Sequence, residues 1–428
     1  MKMSKQLRAL IIAMAAVMLP GPAAADDLPD KAPIGANVQE LLQWADSHNP
    51  ELAAMRYEID AANERIVPAG ALPDPTLRVE FMDFAGPGAP DGFNPLPGKG
   101  SGTKYTLMQS IPLWGKRDLR KEVATAEVEQ AKGRRQTSVV EIHARIKSAY
   151  AQYYQTFGLK KLNEEILRLL GDLEAVTQVR YASGLVPQQD VIRAQVEKTT
   201  LRSEIINLET EQQQANARLN AALARPQGAP LSTMPELRHL SLEKLDRAVL
   251  QEKVARTNPL LATQSAQIAA ADANRRLVLK NRYPDVTLGI APTQRGSSID
   301  SWEAMVEVNI PIRFDTRRAQ ESEAGAMLAA ANERQQAIAN QVMGELQENL
   351  AAFEAAENQE RLITDTLLPQ AELTFRSALA GYEAGKVDFA TLLDAQRAIK
   401  RARQDILKAR VEQELRISEI EKMVGEEL

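Results

Sequence analysis

The chain has 428 residues, with 52 Lys and Arg against 57 Asp and Glu and a formal net charge of −5. That acidic balance argues against a nucleic-acid partner, because phosphate backbones are held by basic surfaces. Cysteine is absent, which excludes disulfides, thiolate metal sites and a lipid anchor on an N-terminal cysteine.

Lys2, Lys5 and Arg8 precede an apolar stretch from Ala9 to Leu19, then Ala23-Ala24-Ala25 before Asp26. The pattern predicts a secretory signal peptide over residues 1–25. Its removal takes away three basic residues and leaves a balance of about −8. No later stretch reaches about 18 uncharged apolar residues, so no transmembrane α-helix is expected.

A helix over 50–66 should end near Pro68. Leu77, Val79 and Phe81 then alternate with Arg78 and Glu80, predicting a strand over 76–82. Tyr105, Leu107 and Ile111 alternate with Lys104, Thr106 and Ser110, predicting a second over 104–113. Between them Ala85 to Gly102 is crowded with Gly and Pro and reads as an exposed loop. Its Gly98-Lys99-Gly100-Ser101 lacks the glycine spacing of a phosphate loop. From Lys116 to Tyr181 no proline interrupts a run of helix formers, so one helix over 116–181 would extend roughly 100 Å. Pro187 suits the first position of a second helix, 187–224.

Residues 226–257 read as a linker, after which the landmarks return in the same order. Asn49-Pro50-x-Leu52 recurs as Asn258-Pro259-x-Leu261, and Ile111-Pro112-Leu113 as Ile310-Pro311-Ile312. Tyr181-Ala-Ser-Gly184-Leu185-Val186 recurs as Tyr382-Glu-Ala-Gly385-Lys386-Val387 at an offset of 201. The chain is thus a tandem duplication, 26–225 and 258–428. In the second copy a helix over 259–281 ends near Pro284. Strands follow over 286–291 and 303–312, flanking a loop from Pro292 to Asp300. Asp315 can cap a helix toward Thr366 that restarts at Pro369 and reaches 381, and Asp388 can cap the last one, 388–424. Both long-helix pairs turn at Tyr-x-x-Gly, where glycine suits a left-handed cap.

Helices of this length cannot bury their apolar residues within one compact domain and must pack along other helices, as coiled coils do. Four strands cannot close a barrel, for which about eight is the practical minimum. Strands with an aliphatic row on one face, charges on the other and Trp114 and Trp302 as interface anchors suit a barrel in lipid, closed by several chains. Val79, Leu107, Val306 and Val308 would face lipid; Arg78, Glu80, Glu303 and Glu307 would face the lumen.

His48, His143 and His239 are far apart in sequence and at no metal-ligand spacing, so we expect no metal site. No nucleophile elbow, phosphate loop or catalytic histidine pattern is present, so neither a cofactor nor an enzymatic activity is expected.

The duplicated layout, the run Ser110-Ile111-Pro112-Leu113-Trp114-Gly115-Lys116-Arg117 and the two Tyr-x-x-Gly tips resemble the TolC family of outer-membrane efflux proteins. The resemblance covers essentially the whole mature chain. It implies a mainly α fold with membrane β: duplicated long helical hairpins forming an α-barrel in the periplasm, and four strands per chain completing a trimeric twelve-stranded β-barrel. It also implies a periplasmic adaptor and an inner-membrane pump as partners. The Trp114-to-Arg117 run and the segment from Gly381 to Arg397 are most similar to the heavy-metal branch, of the cobalt-zinc-cadmium and copper-silver kind, which serves resistance-nodulation-division pumps. Some members there carry a lipidated cysteine that this chain lacks.

By the same resemblance, Gly184, Leu185, Val186, Gly385, Lys386 and Val387 are tip turns where an adaptor docks. Asp394 matches an aspartate that forms a threefold ring at the periplasmic gate, while Thr391 stands where another acid is expected. Tyr382 and Asp190 match a pair that holds the gate shut. Drugs or secreted polypeptide are alternative cargoes, and a periplasmic coiled-coil adaptor or scaffold is the alternative class.

Overall fold

The computed structural model describes residues 34–82, 102–232, 235–238 and 246–428. The predicted leader, positions 85–101 of the first loop and His239 lie outside them.

Helices α1 (Val38–His48) and α2 (Pro50–Glu64) meet at Asn49, whose side chain accepts from the Glu51 N–H while Pro50 sits in the first turn. Asparagine supplies the cap and proline loses nothing where no N–H is needed, which explains why Asn-Pro recurs at 258–259. The predicted helix over 50–66 ends at Glu64, and a short α3 (Ile66–Gly70) runs through Pro68. Strands β1 (Thr76–Met82) and β2 (Gly102–Ile111) lead into α4 (Lys116–Ala182) and α5 (Gln188–Ala222). Pro187 is the residue before α5 rather than its first.

The second half follows with α6 (Arg247–Thr257), α7 (Pro259–Lys280), β3 (Val286–Arg295), β4 (Ser298–Val308), α8 (Phe314–Leu362), a π-helical turn at Ile363–Leu367, α9 (Leu368–Glu383) and α10 (Phe389–Val424). Four expectations change here. The linker contains α6, capped by Asp246 through the Ala248 and Val249 N–H groups, so the repeat reaches back to a counterpart of α1. The loop from Pro292 to Asp300 is instead a tight hairpin: β3 continues to Arg295, and Gly296 turns the chain at φ +62°. Pro292 misled because it has no N–H. The β2–β3 pairing indeed lapses beside it, between Lys104↔Thr293 and Leu107↔Ile290, while pairing to β4 holds. Finally, α9 does restart at Pro369, which lies in its first turn, but no break precedes it, since a π-helical turn carries the backbone on from α8. Asp315 lies in the first turn of α8 rather than capping it.

Proline-free α4 has 67 residues and spans roughly 100 Å. Its apolar residues are buried in separate groups along the bundle. One joins α1, α4 and α5 around Leu41, Ile146, Tyr150 and Leu219; another joins α6, α8 and α10 around Leu250, Leu346, Phe353 and Ile420; a third lies at the hairpin tips. Between the first two sits a buried ion cluster. Lys147 of α4 meets Glu421 of α10 at 2.7 Å, and Arg238 bonds Glu421 at 2.8 Å and Glu414 at 2.9 Å. Burial alone would lift Glu421, but Arg238 and Lys147 hold its carboxyl below the ordinary range. Glu414, with one oxygen buried and unpartnered, is pushed up by burial.

The four strands form one antiparallel sheet in the order β1-β2-β3-β4, so β2 and β3 join the two halves and β1 and β4 are its edges. No helix among the described residues is long and apolar enough to cross a membrane.

Candidate functional site: the sheet faces and the hairpin tips

Strand register decides which side chains share a face. Arg78 lies opposite Thr106, Glu80 opposite Lys104, Ala291 opposite Glu303 and Thr287 opposite Glu307. The four charges predicted together therefore lie on one face, with Lys104 bonded to Glu303 at 2.6 Å across the sheet. Leu77 opposite Leu107, Ile290 opposite Ala304 and Leu288 opposite Val306 belong to the other face. Exposure separates the two. On the central strands, the charged face carries the buried Thr106, Met108, Ala291 and Thr293, whereas Leu107, Leu288 and Ile290 on the aliphatic face are exposed. Val306 is 68% and Trp302 66% exposed.

Trp302 pairs with Pro292 toward the β3–β4 turn, and Trp114 lies at the opposite end of the sheet, where it joins the helices. Val286 and Pro292 are six residues apart on β3, so the two indoles bracket roughly 20 Å or more of strand. At this joint Trp114 and Gly115 both take left-handed backbone, φ +64° and +75°. The Trp114 Nε1–H donates to the Pro284 carbonyl at 3.0 Å, its ring stacks on Tyr283, and the buried Lys116 ammonium bonds Asp285 and the Tyr283 carbonyl, both at 2.9 Å. Arg117 donates to the Gly70 carbonyl at 2.8 Å. The Trp-Gly-Lys-Arg run thus pins the sheet to both halves of the bundle.

The tips are closed by one backbone device used twice. At φ +69° and +68°, Gly184 and Gly385 sit where a left-handed residue ends a helix. The Gly184 and Leu185 N–H groups donate to the Tyr181 and Arg180 carbonyls, and those of Gly385 and Lys386 to Tyr382 and Gly381. Val186 and Val387 pack against the buried tip cluster. Asp388 then caps α10, accepting from the Thr391 N–H at 2.9 Å and its hydroxyl at 2.6 Å. Those two bonds hold the Asp388 carboxyl below its ordinary range.

Tyr382, only 2% exposed, packs on Phe389 and donates to the Thr177 hydroxyl at 3.4 Å; its bond is to Thr177, not to the expected Asp190. Asp190 is near enough for its charge to add to the upward shift of the Tyr382 phenol, which burial dominates. Burial also lifts the Asp190 carboxyl, against the pull of Arg193 and with the repulsion of Asp388. Arg180, which sequence reasoning missed, ties the tips together. Its guanidinium donates to the Glu383 carbonyl at 2.8 Å and lies 5.2 Å from the centre of the Tyr382 ring. The only signal in sequence is its place in the turn, where the second tip has Gly381. Asp394 is exposed and pairs with Arg397, which also holds Glu197 of α5. These residues line a groove of about 650 Å³ between α5 and α10.

His48 stacks on Trp44 and His143 meets Asp46 at 2.8 Å. Among the described residues no group of three or more His, Asp or Glu can hold a metal ion.

The sequence profile of the outer membrane efflux protein family matches residues 41–225 and 250–426. The cobalt-zinc-cadmium resistance protein CzcC of Cupriavidus metallidurans is 25% identical over 381 residues, 86% of this chain and 84% of that protein. The fold is similar to that of the outer-membrane channel OprN (TM-score 0.78, 18% identity, 91% of this chain and 89% of that one). It is similar also to the outer membrane protein VceC of Vibrio cholerae (0.77, 17%, 91% and 96%). CusC, described with transmembrane channel formation, superposes at 0.75 with 16% identity over 91% and 92%. The repeated hairpins, the two-faced sheet and the family profile across both halves agree, and the chain belongs to the outer membrane efflux protein family.

Proposed function

We propose that the chain is one third of a passive exit duct across the outer membrane and periplasm. The observation that carries this is the two-faced sheet with open edges: its aliphatic side is exposed, its charges share the other side, and among the described residues β1 and β4 have no outer partners. A long exposed edge is a hazard unless paired. Three copies pairing β4 to β1 would close twelve strands, above the practical minimum of about eight. Arg78, Glu80, Glu303 and Glu307 would then line the lumen, Val79, Leu107, Val306 and Val308 would meet lipid, and Trp114 and Trp302 would mark the interfaces. The helical hairpins of three protomers continue the duct for roughly 100 Å.

At the far end the tips form the gate, with three Asp394 carboxylates around the axis and Tyr382 and Asp190 in the tip core. Exposed Leu185 and the turns 184–186 and 385–387 receive a periplasmic adaptor, which couples the duct to an inner-membrane resistance-nodulation-division pump. The likeness to a cobalt-zinc-cadmium resistance protein supports heavy-metal cations as cargo. A duct needs no tight site for them, because a tightly held ion would not leave.

Cross-linking in native membranes should give trimers in the outer membrane fraction, and planar bilayers should show cation conductance that multivalent cations block less in Asp394→Ala. Val306→Arg should impair assembly far more than Glu307→Arg, as an arginine at the bilayer midplane costs about 2–4 kcal/mol. Monomers in the soluble periplasm, or equal tolerance of both arginines, would overturn this reading in favour of a soluble coiled-coil scaffold.

A further inference from the structure

We propose that the joint between sheet and helices is a binding surface for anionic phospholipid headgroups, in the leaflet that faces the helices. The inference rests on the sheet being a membrane barrel and adds a partner to it.

The chain as a whole is acidic, yet the fold gathers positive charge at this one level. The segments 114–121, 275–285 and 313–318 carry eleven Lys and Arg against three Asp, with Glu122, Asp272 and Glu321 bonded to Arg276 and Arg282 from just outside them. Three contacts hold them together: Lys116 to Asp285 at 2.9 Å, the Asn309 N–H to the Asp285 carbonyl at 3.1 Å, and Arg282 to Glu321 at 2.9 Å. Some of these cations are committed to the protein, such as Lys116 and Arg282. Among the described residues Arg313, Arg317 and Arg318 pair with no carboxylate, although Asp315 stands on the same turn.

Beside the free guanidinium groups lies apolar surface that a water-filled setting does not explain. Ile310 is 70% exposed, Ile312 72% and Phe314 73%, directly after the exposed aliphatic row of β4. Trp114 and Tyr283 stack nearby, each with a half-exposed ring. Aromatic rings and aliphatic side chains at the edge of the apolar sheet, followed along the chain by unpaired cations, are the arrangement of an acyl boundary followed by a phosphate layer. Each basic group near such a layer adds attraction for a negatively charged headgroup, and a guanidinium matches a phosphate diester in hydrogen-bonding geometry as well as charge.

The full-length protein, reconstituted into nanodiscs from equimolar phosphatidylglycerol and phosphatidylethanolamine and then gradually delipidated, tests this. The ratio of the two lipids retained is read by mass spectrometry. We expect phosphatidylglycerol to be enriched about threefold, and high salt to reduce the enrichment. Arg313→Gln, Arg317→Gln and Arg318→Gln together should at least halve it, while the corresponding triple Lys variant, which keeps the charge, should retain most of it. No enrichment with the wild type, or the same enrichment with the Gln variant, overturns the proposal. So does loss of trimers in the Gln variant with an unchanged lipid ratio, which would assign the face to contacts between copies of the chain. Failure of the wild type to enter the bilayer at all would remove the barrel and this surface together. A wild type that inserts without lipid preference would remove only this surface.

Discussion

The two hairpin tips share a backbone and differ in almost everything attached to it. Gly184 and Gly385 turn the chain at nearly the same φ, with the same pair of backbone bonds. Yet Tyr181 is 44% exposed where Tyr382 is 2%, and Gln188 and Ile192 of the first tip stand where the second has buried Phe389 and Leu393. Leu185 points outward at 65% exposure, and Lys386 takes its place on the other side. Duplication preserved the device that reverses the chain and released the surface. The second tip became the packed element, the first an open one whose aliphatic side chains Leu185 and Ile192 stay exposed.

The largest effect separating the tips should come from Phe389→Ala. Its fully buried ring touches Tyr382, and deleting such a ring costs about 3–5 kcal/mol. Gln188→Ala, at the matching place, should stay within about 0.5 kcal/mol. Urea unfolding of the detergent-solubilised protein would show both, and similar losses would mean the tips are packed alike. Next come Gly184→Ala and Gly385→Ala. No atom lies within 4 Å of a Cβ placed at either, so only left-handed strain of about 1–2 kcal/mol should appear, equally at both tips. Unequal losses would break the claim of a common device.

Smaller again is the bond from Tyr382 to Thr177, for which Tyr382→Phe and Thr177→Val should each lose about 0.5–1.5 kcal/mol. In planar bilayers both should raise single-channel conductance, and combining them should add little. If only Asp190→Ala raises it, the tyrosine is held by the aspartate in the assembled duct. The smallest effects are those of pH, and they have opposite signs. Burial raises the Asp190 carboxyl, so ionised Asp190 strains the first tip above its folded pKa, and the strain fades as pH falls toward the ordinary carboxylate value. The Thr391 bonds lower Asp388, so its support of the second tip is present above the ordinary value and lost as pH falls through the folded one. At neutral pH Asp190→Asn should therefore stabilise and Asp388→Ala destabilise, measured by thermal unfolding; shifts of the same sign would show that one of these environments is misassigned.

Much of this architecture was legible in the sequence because it rests on local rules. Period-two alternation sorted the charged and aliphatic side chains of all four strands onto separate faces, and proline-free runs located the long helices to within a few residues. Proline was the commonest source of error. At 292 and 369 it argued for a break, but an interrupted ladder and a π-helical turn absorbed it. Residues that act across the duplication had no local mark. Thr177 is an ordinary mid-helix threonine and Arg180 one arginine among many, and only the folded tips bring them to Tyr382 and Glu383. The helix α6 escaped because its eleven residues, Arg247 to Thr257, bury only Leu250 and Val254 and so leave a weak periodic signal.

The ion cluster in the bundle has a consequence for the order in which the chain becomes a protein. Lys147 lies 274 positions before Glu421, the carboxylate that neutralises it in a site where the lysine side chain is 3% exposed. A buried charge without its partner costs about 3–5 kcal/mol. Because α10 supplies both the carboxylate and part of the cover over Lys147, the lysine enters its buried site together with its partner, when the last helix docks. Packing of the first repeat around Lys147 is thus completed by a residue near the far end of the chain.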